Sequence, residues 1–429
     1  MTARTRTLIR VLSRLFWCVL ILEVGCFFAV WTIAGVRPGY ANQSERAADI
    51  ALAGQPNAAG EVDTRRFDQV RHPYMGYVAK PLARGVRRGL SMLSSMDMGD
   101  PNAPIYDPDV LLIGITGGSV AAGVFNAGGA ALLKRLRTAP QFKGRELHLF
   151  GFAAAGFKQP QQAVALAYLL SAGVQFDAVI NLDGFNEVAL VSDPGLKRGG
   201  FPAYPYSWSS RVALTGTQLD LAGELAYLKR GRTEAAIALT ECPGRFAWMR
   251  QFAWELSDWR TRIELRGTRE LLVASQLKAA EPMESFEQLG PRIEGMENSD
   301  RLPELVAIWE RSAAVMQGLC ESSDAIYLPA LQPNQYDPEF VKPMLRAEQR
   351  VARSTGSMFA VPAARGYPLL HAAAERLEQA GISVLDLKAI FADVEEVRMR
   401  DDCCHFNRAG NVALAEALAD ALLARGFGS

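Results

Sequence analysis

The chain has 429 residues, with 46 Lys and Arg against 46 Asp and Glu. That length is ample for one large domain with insertions or for two smaller ones. The neutral balance supplies no basic surface for a nucleic-acid backbone, so nucleic acid is not expected as a partner.

The first distinctive segment runs from Leu15 to Ala34, "LFWCVLILEVGCFFAVWTIA". It has about the ~20 apolar residues that a membrane-crossing helix needs, interrupted by one charge, Glu23. Arg4, Arg6, Arg10 and Arg14 precede it and Arg37 is the first basic residue after it. The positive-inside rule then predicts a cytoplasmic N-terminus and a single-pass membrane anchor over residues 1–36, with the rest of the chain extracytoplasmic, in the periplasm. A cleaved signal peptide is the weaker alternative, because the span exceeds the usual ~7–15 apolar residues and no small-x-small site follows it.

Residues 37–108 are polar and weakly patterned, and read as a stalk. Within it "RHPYMGYVAKP" (Arg71–Pro81) is expected to dock on the main domain. From residue 109 the pattern changes. Apolar runs suited to buried strands occur at Val110–Ile115, Leu147–Phe152, Ala178–Leu182, Ala325–Ala330 and Ile382–Leu387. Helical patterns alternate with them, and a final helix is expected over about Ala409–Ala424. This alternation predicts a five-stranded parallel sheet covered by helices. The stretch 188–301 breaks the rhythm and reads as a largely helical insertion, its Trp208, Trp248, Trp254 and Trp259 serving packing.

In such a sheet, ligands gather beyond the carboxyl ends of the strands. The first strand ends in "TGGS", placing Ser119 at a helix start, where a lone serine would be read as a cap. The second ends in "GFAAAGFKQPQQ" with Gly156, the third in "NLDGFNEV" with Asn186, and the fourth in "LQPNQY" with Gln332 and Asn334. After the fifth comes "MRDDCCHFNRAGN", with Asp402 and His405 three apart and Asp401 adjacent. A serine hydroxyl is a weak nucleophile without a base in reach and a partner that orients the base. Ser119, His405 and Asp402 supply those roles, with Asp401 the alternative orienter. The N–H groups of Ser119 and Gly156 and the Asn186 amide are candidate oxyanion donors. Gln332 and Asn334 are candidate substrate contacts, or simply hold their loop.

These blocks resemble those of the SGNH (GDSL-type) hydrolases. "GGS" at Gly117–Ser119 stands where the family has Gly-Asp-Ser, and Gly156 matches the second-block glycine. "GFNE" at Gly184–Glu187 matches Gly-x-Asn-Asp, and "DCCH" at Asp402–His405 matches Asp-x-x-His. "HPYMGY" and "LQPNQY" are similar to a membrane-anchored bacterial subgroup. The resemblance spans roughly Asp109 to Leu423, outside the insertion. It implies a flavodoxin-like three-layer α/β/α fold for residues 109–429. Ser119 would be the nucleophile, His405 the base, Asp402 its orienter, and Gly156 and Asn186 oxyanion donors. Gly118 and Glu187 depart from the family's aspartates.

The expected activity is a serine esterase or O-acyltransferase acting on an acylated small molecule or glycan, with an O-acetyl polysaccharide as the implied substrate and no cofactor. The alternative is a catalytically silent binding or scaffolding module. A phosphate-cradling reading fails because "GITGGSVAAG" has no lysine before its serine. Of the six cysteines, Cys18 and Cys26 lie in the apolar span. Cys242, Cys320, Cys403 and Cys404 could form a bridge, such as one from Cys403 or Cys404 to a distant partner. For Cys403 and Cys404, packing or a loop-pinning disulfide is preferred over a thiol nucleophile. No cysteine spacing matches a zinc motif, so no metal is expected.

Overall fold

In the computed structural model the described residues are 3–34, 69–79, 90–93, 104–213, parts of 221–232, 247–277, 286–291, 295–296, 299–353 and 356–428. The chain forms two compact units, one from residues 1–68 and 215–280, the other from 69–214 and 281–429.

The first unit contains the helix α1 (Ala3–Ala34). It packs against a second long helix, Ala247–Leu277. Among the described residues, no helix is long and apolar enough to cross a membrane, which departs from the expected spanning anchor. The Glu23 carboxylate, the one charge that interrupts the apolar run, accepts a hydrogen bond of 2.7 Å from the Met249 N–H. Met249 lies in the first turn of its helix, where backbone N–H groups lack intrahelical partners and favour an anion.

The second unit is built on a parallel sheet surrounded by helices, an α/β fold. Before it, β1 (Gln69–His72) and β2 (Gly76–Ala79) form a hairpin within the segment expected to dock. The sheet comprises β3 (Leu90–Met92), β4 (Val110–Gly117), β5 (Glu146–Gly151), β6 (Ala178–Asp183), β7 (Ile326–Leu331) and β8 (Leu385–Asp386), in the order β3-β5-β4-β6-β7-β8. It therefore has six strands where five were expected. The additional edge strand β3 pairs Leu90 with Leu149 through Met92 with Gly151. Three residues cannot display a period, so this strand was unreadable in a segment that looked like stalk. β4 is buried at every position and β6 likewise. A strand covered on both faces is expected to be a continuous apolar run.

The register aligns the carboxyl ends: Ile115 lies opposite Gly151 on one side and Ile180 on the other, and Leu331 opposite both Asp183 and Asp386. The loops after β4, β5, β6 and β7 therefore leave from one edge. After β4 the chain enters α2 (Ser119–Gly123), a wider π-type turn (Val124–Gly128) and α3 (Gly129–Leu136). After β5 comes α4 (Gln161–Ser171), and after β6 the short α5 (Phe185–Ala189). The helices α6 (Leu302–Glu321), α7 (Ala360–Gln379) and α8 (Arg408–Ala424) complete the covering layers.

Small residues bring the two ends of this domain together. A Cβ on Gly128 would stand 2.5 Å from the Asn411 carbonyl oxygen and 2.7 Å from the Ala415 methyl, so only glycine admits α8 at this spacing. The helical stretch that begins with Ser119 thus packs against the helix that follows His405.

The expected insertion, 188–301, is divided: 188–214 and 281–301 belong with the sheet, and 215–280 with α1. Trp208 donates its indole N–H to the Glu287 carbonyl at 2.8 Å and Trp254 is buried, both packing roles, whereas Trp259 is exposed. The Trp248 side chain and Cys242 lie outside the described residues. Among the described residues Cys18, Cys26, Cys320, Cys403 and Cys404 form no disulfide, so the bridge expected from Cys403 or Cys404 is not found there.

Candidate active site

β4 ends at Gly117, whose φ of +136° and a Cβ position only 1.9 Å from the Leu182 carbonyl oxygen both demand glycine. Gly118 occupies the N-cap of α2, and Ser119 is the first helical residue. The serine hydroxyl is thus not the cap. It lies 2.8 Å from His405 Nε2. The opposite ring nitrogen, Nδ1, lies 2.5 Å from Asp401 Oδ2.

The aspartate that touches the imidazole is therefore Asp401, not the Asp402 favoured by the family spacing. The cause is local. Asp401 Oδ1 accepts the backbone N–H groups of Cys403, Cys404 and His405 at 3.0, 3.1 and 3.2 Å, closing a tight turn that leaves Oδ2 facing the ring. Asp402 instead anchors the turn through its carbonyl, which accepts the Tyr336 hydroxyl at 2.8 Å and the Ser357 hydroxyl at 3.2 Å. The Met399–Phe406 bridge closes the loop behind them, and Asn407 caps α8 by accepting the Gly410 N–H at 2.9 Å.

Burial alone would lower the His405 pKa, but the adjoining Asp401 and Cys404 outweigh it and push it up to about 10. Cys404 moves the other way. Burial would raise its thiol, yet its hydrogen bond with Cys403 and the charge of His405 depress it to about 6. Its sulfur lies 3.9 Å from Ser119 Oγ and 3.4 Å from the Cys403 sulfur. Sequence reasoning missed this closeness. Its signal was the pair of cysteines directly before His405, which had been assigned to packing or a bridge.

Gly156 adopts φ +76° in the loop after β5. That loop is held by the hairpin: Gln69 donates to the Ala155 carbonyl at 2.6 Å, and the Tyr77 ring packs edge-on against Phe157 at 5.3 Å between centroids. Asn186, in α5, donates its amide to the Phe157 carbonyl at 2.6 Å. A Cβ on Gly118 would stand 2.2 Å from that same amide nitrogen, so Asn186 lies directly against the backbone preceding Ser119. This contact accounts for glycine at position 118.

Glu187 also has a physical account. Its carboxylate accepts the Gln159 N–H at 2.9 Å and the Gly184 N–H at 3.1 Å, tying the Gly156 loop to the Asn186 loop. Aspartate is one methylene shorter than the side chain that spans these two amides. Burial and the neighbouring Asp183 push the Glu187 pKa up to about 8. Asp183 accepts the Trp309 indole N–H at 2.7 Å and is itself raised to about 6 by burial.

The two candidate substrate contacts are buried. Asn334 is fully enclosed, donating to the Cys403 carbonyl at 3.0 Å and accepting the Tyr336 N–H at 2.9 Å. Its amide N–H holds the loop of His405 and its amide oxygen holds its own turn, as the loop-holding alternative expects. Gln332 is also buried, and its carbonyl accepts the Tyr367 hydroxyl at 3.0 Å. Gln335, which sequence reasoning passed over, adds donations to the Asp401 and Cys403 carbonyls at 3.3 and 3.2 Å. A cavity borders Asn186 and is lined by Lys158, Leu196, Phe201, Trp208 and Leu305 among others, but by neither Ser119 nor His405. Burial lowers the Lys158 pKa to about 8.

No known protein family matches the chain. No curated protein matches it by sequence. Among solved structures it is similar to an acetyl xylan esterase, at 12% identity and a TM-score of 0.35, over 72% of this chain and 98% of that one.

Proposed function

We propose that the protein is a serine esterase or O-acyltransferase of the SGNH type. The observation that carries this reading is the continuous relay from Ser119 Oγ to His405 Nε2 at 2.8 Å and from Nδ1 to Asp401 at 2.5 Å. In the proposed reaction the His405 Nε2 lone pair takes the Ser119 proton as Oγ attacks the carbonyl carbon of an ester. The tetrahedral oxyanion is met by the N–H groups of Ser119 and Gly156 and by the Asn186 amide. The imidazolium returns its proton to the departing alkoxide, leaving an acyl-enzyme. Water, or an acceptor hydroxyl, then attacks with His405 again as base. Asp401 holds the ring with Nε2 toward Ser119 and stabilises the imidazolium.

The preferred substrate class is a small acyl ester, acetyl first, on a glycan. An extracytoplasmic location belongs to the same proposal. Its supports are the arginines Arg4, Arg6, Arg10 and Arg14 in the first half of α1, ahead of its apolar stretch, and the apolar side chains that α1 exposes, Phe16, Trp17, Ile21 and Phe28 among them. Digestion of spheroplasts by added protease tests the location: a protein that stays protected until the cells are lysed counts against it.

The activity is tested by labelling with a fluorophosphonate. Labelling of the wild type that disappears in both Ser119→Ala and His405→Ala supports an activated serine. A folded wild type that fails to label refutes it.

A further inference from the structure

The thiols of Cys403 and Cys404 and the imidazole of His405 place one donor atom each within 4.8 Å of one another. We propose that this cluster is a binding site for a thiophilic divalent cation, Zn2+ or Cd2+, and that its occupation excludes the esterase chemistry of the same histidine. The sulfurs are 3.4 Å apart. Two thiolates on one zinc, each at about 2.3 Å in tetrahedral geometry, lie somewhat under ~4 Å apart, so the pair needs only a small adjustment. Two sulfurs and an imidazole form a donor set that favours zinc and its heavier relatives over hard cations.

The outer partner is also in place. A metal-bound histidine characteristically gives its second ring nitrogen to a carboxylate, which fixes the tautomer and makes the ligating nitrogen more basic. Asp401 Oδ2 holds Nδ1 in that manner and leaves Nε2 as the free donor. The cluster adjoins Ser119, whose Oγ is 3.9 Å from the Cys404 sulfur, and water supplies the remaining coordination. Both cysteines are buried, while the His405 side chain keeps 24% of its exposure, so the ion reaches the sulfurs past the imidazole.

Binding releases two protons to solvent in all, leaving both sulfurs as thiolates and the ring neutral, and engages the Nε2 lone pair. That lone pair can bond the metal or accept the Ser119 proton, not both. The site therefore acts as a reversible off-switch. The inhibition rests on the proposed esterase reading; the binding does not.

The test uses the full chain, reduced with a phosphine, and two readouts. Cd2+ is titrated while its thiolate-to-metal charge-transfer absorption is followed, and fluorophosphonate labelling of Ser119 is measured in parallel. The expected result is a saturable band at one Cd2+ per chain, with labelling lost in proportion and restored by a chelator. Cys403→Ser and Cys404→Ser, checked for folding by circular dichroism, are expected to weaken the band by more than the ~10–100-fold typical of losing an outer partner. Cys320→Ala is expected to leave the band intact. Ser119→Ala should retain the band, which separates failure of the metal site from failure of the esterase. A band that survives removal of both Cys403 and Cys404, or the absence of any band, overturns the site. A band without loss of labelling overturns the off-switch.

Discussion

Asp401 holds His405 from four residues away with one carboxylate oxygen at 2.5 Å while the other collects three backbone N–H groups of the intervening turn. One side chain thus builds the loop and aims the ring. Replacing it with asparagine keeps the shape but allows the amide to donate to Nδ1, which favours the wrong tautomer. Asp401→Asn is expected to lower kcat on a chromogenic acetate ester by about 10^4-fold, the scale of losing the orienting carboxylate in a serine triad. Asp402→Asn, which keeps the carbonyl that accepts the Tyr336 and Ser357 hydroxyls and leaves the Asp401–His405 contact in place, is expected to stay within about tenfold of wild type. Equal losses in the two variants would return the orienting role to Asp402.

The contact between Gly118 and Asn186 gives a second prediction. A methyl on Gly118 would overlap the Asn186 amide, which is already fixed to the Phe157 carbonyl. Gly118→Ala should therefore displace the amide and reduce kcat toward the roughly 10^2–10^3-fold loss expected of Asn186→Ala, with little change in KM. Steady-state kinetics of both single variants and of the double variant checks this. Effects that multiply fully in the double variant would mean that Gly118 acts by another route.

The pH dependence follows from the raised His405. Only the neutral ring can accept the Ser119 proton, and its folded pKa is pushed up to about 10. The rate of fluorophosphonate labelling is expected to climb through the alkaline range rather than level off near pH 7. Cys404 contributes to that elevation, so Cys404→Ala should move the ascending limb to lower pH. A limb unmoved by the substitution would show that the thiol is not coupled to the base.

A fourth prediction concerns the support of the site. Glu348 and Lys342 form an ion pair at 2.6 Å with both side chains fully buried. Glu348 also accepts the N–H groups of Arg398 and Met399 at 2.7 and 2.8 Å, just before the Asp401 turn. Glu348→Ala strands the Lys342 ammonium in the interior and should cost about 3–5 kcal/mol, measured by denaturant unfolding. Lys342→Met together with Glu348→Leu should recover part of that loss, although the two backbone amides remain without their acceptor.

Much of the site was legible because its blocks sit at strand ends. The buried strand β4 is a run of β-branched and apolar residues, so the position of Ser119 beyond it followed from pattern alone. The same held for Gly156 and His405, each in a loop, and for Asn186 at the start of α5, because their flanking elements announce themselves. The edge strand β3 did not, since three residues with no alternation are indistinguishable from coil until β5 offers its free edge.

The sequence by itself determined the alternation of strands and helices, and with it the set of loops that share an edge. Periodicity is a local property, and burial on both faces of a strand writes it directly into residue type. Only the tertiary structure decided between Asp401 and Asp402, because both reach the right region and a turn's hydrogen-bond closure selects one. It also decided that Asn334 serves the His405 loop and that Cys404 stands beside Ser119. Those outcomes depend on contacts between residues far apart in the chain, brought together when the small residues of the Ser119 helix admit α8.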